Sequence, residues 1–335
     1  MDTTRSAPTL PVELWQLVLA YAFPPPSCDA DGVRTRQRNL APLAHVCKSW
    51  SWVRDALYEH VALGTAEQAQ ALARTLDARD GLAATVKTLC LGVPSAETVA
   101  ADSNGAGFIL RNLLQKCQRV ETLILNKVEG IALGDLAASS SLRSLHLSDV
   151  GFDPDTAPEA ALAGLPSVLS EPKPERYATP EWHSLRCLQV GRLPYSSLGA
   201  PDCAALSRLP LLFLSTRLDS WSGWGCESEL AVVPPTVRVF RVTANRATSA
   251  DTLVRSLASA PTPSNASEDF LPSVEELILP IGSVSADLLW RLEDWAARRG
   301  VKVLWEELAQ EQNADEGFWR VADRVEREVK GGRWK

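Results

Sequence analysis

Val120-Glu-Thr-Leu-Ile-Leu125 and Leu142-Arg-Ser-Leu-His-Leu147 follow one pattern: apolar, two variable residues, apolar, one variable, apolar. The same hexad stands at 58–63, 86–91, 185–190, 209–214, 237–242 and 274–279, and with a glutamate in last place at 301–306. Alternation over its closing residues is the period-two signature of a strand with one face in a core. Successive copies start 28, 34, 22, 43, 24, 28, 37 and 27 residues apart, which leaves room for a helix in most intervals. Self-similarity at this period is the mark of a repeat architecture.

Helical patterns fill several of the gaps. Residues 65–76 carry Ala69, Leu72, Ala73 and Leu76 on one face, with Thr65 and Gln68 at capping-box spacing. Phe108, Leu110, Leu113 and Leu114 mark another helix. Residues 249–257 resemble 285–292, each starting 11 or 12 residues after its strand, and Gly300 is placed to close the second of these helices. Strands alternating with helices predict a parallel sheet. A curved solenoid is the simplest way to stack such units, and a doubly wound α/β domain uses the same elements. Two stretches interrupt the array: 151–184, with six of the 22 prolines, and the polar linker 261–272.

The first 57 residues read differently. Leu14, Trp15, Val18, Leu19 and Ala22 recur at helical spacing, Pro11 suits a first turn, and Pro24-Pro25-Pro26 stops the helix. The polar insert 23–39 reads as a loop. A second apolar segment, 40–47, is helical in pattern, and a short helix follows towards Leu57.

The 335-residue chain carries a net charge of −7 and no long basic run, which argues against nucleic acid. No signal peptide and no apolar run of membrane-spanning length are read, so the expected location is cytoplasmic or nuclear and no membrane partner is expected. Seven scattered cysteines, none at C-x-x-C spacing, predict neither a disulfide framework nor a zinc site. No phosphate loop, nucleophile elbow or zincin motif is found. The four histidines are isolated, with His45 expected in the helical module and His146 at an exposed strand position. The expectation is therefore no enzyme, no catalytic residue, no metal and no cofactor. Trp221-Ser-Gly-Trp224 reads as a loop anchored by its rings.

Leu10-Pro-Val-Glu-Leu-Trp-Gln-Leu-Val-Leu19, followed by Ala44-His-Val-Cys-Lys-Ser-Trp50 and by residues 57–63, resembles an F-box leading into leucine-rich repeats, of the type expanded in mushroom-forming fungi. The resemblance implies a small all-α F-box module at 8–57 (insert 23–39), an α/β leucine-rich-repeat-like solenoid with a parallel sheet at 58–314, and a C-terminal helix at 315–335 as a cap. It implies a substrate-recognition subunit of a cullin–RING ubiquitin ligase, with a Skp-type adapter and cullin as partners and an unknown protein target. The matching adapter contacts are Leu10, Pro11, Leu14, Val18, Leu19, Val46 and Trp50. An F-box scaffold acting outside a ligase is the alternative.

The hexad's variable positions should form the sheet's open face, and Arg241, Glu276 and Ile278 are the candidate target contacts there. The later rows, which include Leu211 with Phe213 and Val303 with Trp305, are too apolar to stand bare. A target or a loop of this chain, such as 151–184, should cover them. Phe318, Val321, Ala322, Val325 and Val329 give the C-terminal helix one dry face, expected to pack on the last repeat.

Overall fold

The computed structural model describes residues 11–22, 30–45, 51–79, 81–92, 106–131, 139–148, 150–152, 184–190, 209–217, 230, 233–243, 250–258, 271–307 and 311–334. Its strands in chain order are β1 His60–Leu63, β2 Thr88–Leu91, β3 Thr122–Asn126, β4 Glu129–Ile131, β5 Ser144–Ser148, β6 Gly151–Phe152, β7 Cys187–Val190, β8 Phe213–Arg217, β9 Val239–Thr243, β10 Glu276–Pro280 and β11 Lys302–Glu306. Nine of them form one sheet in the order β1-β2-β3-β5-β7-β8-β9-β10-β11, and β4 pairs with β6 apart from it. Every pairing is parallel. The order follows the chain without the reversal that marks a doubly wound sheet.

One hydrogen-bond unit repeats along the sheet. The carbonyl of the hexad's second residue accepts from the second and third N–H groups of the next copy: Lys87 O takes Glu121 N and Thr122 N, Glu121 O takes Arg143 N and Ser144 N, and Arg238 O takes Glu275 N and Glu276 N, at 2.8–3.1 Å. Arg186 O accepts from Leu212 N and Phe213 N in the same way. This register corrects two hexads. Leu214 lies beside Leu188 and Phe240, so that copy is 211–216 rather than 209–214. A shift of two keeps every side chain on its face, but the outward pair becomes Phe213 and Ser215 instead of Leu211 and Phe213. It also makes the intervals on either side of β8 equal. At β11, Leu277 pairs with Val303 and Ile278 with Leu304, so the last copy is 300–305. That shift of one exchanges the faces: Lys302, Leu304 and Glu306 take the side assigned to Val303 and Trp305.

The first face of the sheet carries Leu89, Leu91, Leu123, Leu125, Leu145, Leu188, Leu214, Phe240, Leu277 and their neighbours in one apolar core. Helices α4 (Ala66–Ala78), α5 (Ala106–Lys116), α6 (Asp251–Ala258) and α7 (Ala286–Arg299) close it. Thr65 caps α4, its hydroxyl accepting from Gln68 N at 3.2 Å while Gln68 Oε1 accepts from Gly64 N at 2.8 Å. Asp251 of α6 accepts from Ser285 N at 2.7 Å, tying together the two helices that resemble each other in sequence. Gly300 ends α7 at φ 67°, a left-handed backbone that favours glycine.

Ahead of the sheet lie α1 (Val12–Ala22), α2 (Ala30–Leu40), a 3-10 turn at Leu43–His45 and α3 (Ser51–Glu59). The insert expected as a loop thus contains a helix. Among the described side chains of α2, Val33 and Leu40 are the apolar buried ones, and a spacing of seven puts them on one side. Gln37, between them, accepts from Ala62 N on the outer strand β1 at 3.4 Å. His45 is exposed rather than packed. Among the described residues no helix is long and apolar enough to cross a membrane.

The C-terminal helix α8 (Glu311–Lys330) does not cap the end of the sheet. It lies across the second face, where Phe318, Trp319, Ala322, Val325 and, just beyond the helix, Trp334 form a core with Cys187, Phe213, Val239 and Ile278. Val33 of α2 joins the same core near Cys90 and Ile124. The second face is therefore covered from both ends, and the cover over its later rows is α8. The segment 151–184 lies almost wholly outside the described residues.

Candidate functional site

Two features bear on function: the outer side of α1, and the second face under α8. On α1, Pro11 O accepts from Leu14 N and Trp15 N at 3.1 and 3.2 Å and starts the helix. Leu14, Leu17, Val18 and Tyr21, at spacings of three, one and three, form one stripe and are 45, 66, 48 and 92 % exposed. Pro11 is exposed at its head. Leu19 turns away and is half-buried. Leu10, Val46 and Trp50 lie outside the described residues. Leu17 and Tyr21 were missed in sequence, where the helical series runs through Leu14, Trp15, Val18, Leu19 and Ala22. A helix this apolar with its stripe in water is unusual for a lone module.

On the second face, side chains in register form two rows. One runs Thr88, Thr122, Ser144, Cys187, Phe213, Val239, Glu276; the other runs Cys90, Ile124, His146, Gln189, Ser215, Arg241, Ile278. The polar members His146, Gln189, Ser215, Arg241 and Glu276 are all buried. Arg241, only 1 % exposed, donates from Nε to Glu306 Oε2 at 2.7 Å and from Nη1 to Ser215 Oγ at 3.3 Å. A buried charge is tolerable when paired and hydrogen-bonded in this way. Arg324 of α8 meets Glu276 at 2.6 Å, and Glu326 meets Arg186 at 3.6 Å. His146, expected to be exposed, is buried against the Phe318 and Trp319 rings, with centroids 5.5 and 5.7 Å away.

Gly317 lets α8 sit this low. A Cβ there would overlap Glu306 Oε1 and Arg241 Nη2. The structure thus brings Arg241, Glu276 and Ile278 together, as the sequence register implied, but beneath α8, where all three are buried.

No protein-family model matches the chain, and no curated protein matches it in sequence. The chemistry of the described residues must speak for itself. Among them no group of three or more His, Cys, Asp or Glu could hold a metal ion. Burial pushes the thiol of Cys117 up to about 11 and that of Cys187 further still, so neither supplies a thiolate at neutral pH.

A charged cluster marks the β1 end. Glu59 pairs with Lys87 at 2.7 Å. His60 Nδ1 lies 3.0 Å from Thr88 Oγ1. Burial, with Arg36 nearby, holds the His60 imidazole down at about 4. Arg36 itself donates to Ala56 O at 3.2 Å and so links α2 to α3.

Proposed function

We propose that this chain is the substrate-recognition subunit of a cullin–RING ubiquitin ligase: an F-box module docks on a Skp-type adapter, and a leucine-rich-repeat-like solenoid positions a target protein. The observation that carries the reading is the bare stripe of α1. Leu14, Leu17, Val18 and Tyr21 stand in water behind Pro11, within the segment that resembles an F-box opening. An apolar stripe of this kind lowers its free energy by entering an interface. The repeated hydrogen-bond unit supports the repeat reading, because each strand meets the next in the same register. The implied mechanism is proximity: this chain holds a target while another subunit supplies the chemistry. A target that used Arg241, Glu276 or Ile278 would have to displace α8.

The test is affinity purification of the full chain and of the Leu14→Asp, Val18→Asp double variant, with circular dichroism as folding control. Wild type should bring down a Skp-type adapter and a cullin, and the variant neither. Wild type without an adapter overturns the reading. An adapter without a cullin favours the scaffold role outside a ligase.

A further inference from the structure

The two outer strands of the sheet are finished differently. Strand β1 has α2 against it, and its Ala62 N–H is taken by Gln37. Strand β11 has one neighbour, β10, among the described residues. Lys302 N donates to Glu275 O at 2.8 Å, and Glu306 O accepts from Ile281 N at 2.7 Å. Because N–H and C=O of one strand residue point the same way, Lys302, Leu304 and Glu306 address β10. Val303 and Trp305 then direct their N–H and C=O groups away from the sheet. Trp305 is 43 % exposed and Lys302 is exposed as well. An edge with an exposed indole and outward main-chain groups is a template for another strand.

The sequence of that edge, Lys302-Val-Leu-Trp-Glu306, is complementary to itself when reversed. We propose that it binds a second copy of this chain by antiparallel pairing of the two β11 strands about Leu304, giving a two-fold dimer. In that register Val303 faces the partner subunit's Trp305, and Trp305 faces the partner subunit's Val303. These are the residues with outward N–H and C=O groups, so each pair exchanges two main-chain hydrogen bonds. Leu304 faces the partner subunit's Leu304. Lys302 faces the partner subunit's Glu306, and Glu306 the partner subunit's Lys302. Residues directly opposite share a face of the sheet, so opposite charges come within reach twice on the second face, where each Glu306 also holds the ion pair with Arg241 of its own chain, and each Trp305 covers a valine on the first. Two-fold registers centred on Val303 or Trp305 lose both charge pairs. The occupant is therefore argued from charge complementarity and from the phase of the free main-chain groups. The contact is confined to one pair of strands, which belongs with small, reversible interfaces.

Sedimentation velocity of the full chain over about 1 to 100 µM tests this, since a small interface dissociates within such a range. Wild type should move from monomer towards dimer. Lys302→Glu sets like charges against each other at both ends and should weaken association about tenfold or more. Lys302 is exposed but stands beside Glu276 in the β10 register, so thermal unfolding serves as the folding control, and Lys302→Gln, which sets no like charge against Glu276, should weaken association in the same direction. Register is read by oxidation: Leu304→Cys places two thiols across the axis in a closely spaced pair and should cross-link two chains above the wild-type background. Lys302→Cys places them several residues apart and should not. Wild type monomeric throughout overturns the proposal. Undiminished association of Lys302→Glu overturns it too, as does cross-linking through residue 302 as readily as through 304.

Discussion

The ring of Phe318 in α8 stacks on that of Phe213 in β8, with centroids 5.1 Å apart and planes inclined by 22°. Both side chains are fully buried. Phe318 also meets Trp319 edge-on at 4.7 Å, so this pair is the centre of the second core.

Truncating either ring should leave a cavity between helix and sheet. Phe318→Ala and Phe213→Ala are each expected to destabilise the protein by about 3–5 kcal/mol. The double variant should lose less than the sum, by about 0.5–1.5 kcal/mol, because the pair shares one contact. Urea unfolding of the four proteins measures the coupling. Strict additivity would mean that the rings do not touch.

Gly317 offers a test whose sign is informative. In an exposed helix interior, alanine is better than glycine by about 1 kcal/mol. Here the added methyl meets Arg241 and Glu306, and Glu306 is fixed by its ion pair. Gly317→Ala should therefore destabilise by about 1–3 kcal/mol. A rise in Tm would show that α8 sits higher on the sheet.

Ending the chain after residue 310 removes α8 and bares Phe213, Val239 and Ile278 together with the Arg241–Glu306 pair. The shortened protein should have a lower Tm, bind a hydrophobic dye such as ANS, and lose solubility. Adding residues 311–334 back as a peptide should reverse the dye binding. An unchanged Tm would mean that α8 contributes nothing to the second core.

His60 predicts a pH dependence. Its folded value, about 4, lies below the ordinary 6.5, so the folded chain binds fewer protons than the unfolded chain between those values. Stability then rises with pH through that window. The contribution is complete above about pH 6.5 and is lost as pH falls towards 4. It amounts to about 3 kcal/mol. Arg36 and Lys87 bring positive charge to the imidazole, while Glu59 partly offsets them. Urea unfolding at pH 7 and pH 5 should give a larger loss for wild type than for His60→Gln. Arg36→Gln should narrow the difference by removing one positive neighbour.

The sheet was legible in the sequence because the hexad carries its own register. It failed where the apolar residues permit more than one alignment. Leu209, Leu211, Leu212 and Leu214 offer two frames at the same parity, and Val301, Val303 and Trp305 hide a glycine in first place. Helix α2 was illegible because it offers just Val33 and Leu40 to a core and is otherwise polar. The dry face of α8 was plain, but periodicity does not say which surface a dry face meets. One signal pointed to the answer, since the later rows are too apolar for water; the close approach at Gly317 emerges only from the structure. The stripe on α1 was half legible, since Leu14 and Val18 belong to the helical series read in sequence while Leu17 and Tyr21 do not.

The position of α8 also orders the birth of the molecule. Strands that pair in chain order can join the sheet one after another as they leave the ribosome, each contacting a neighbour already present. The second face has no such privilege. Phe213 and His146 wait for Phe318 and Trp319, more than a hundred residues downstream, and Trp334 joins that core from further along still. Until α8 has emerged, a nascent chain leaves an aromatic, partly charged surface uncovered. Premature termination anywhere before α8 should thus yield a client for chaperones rather than a shorter working protein.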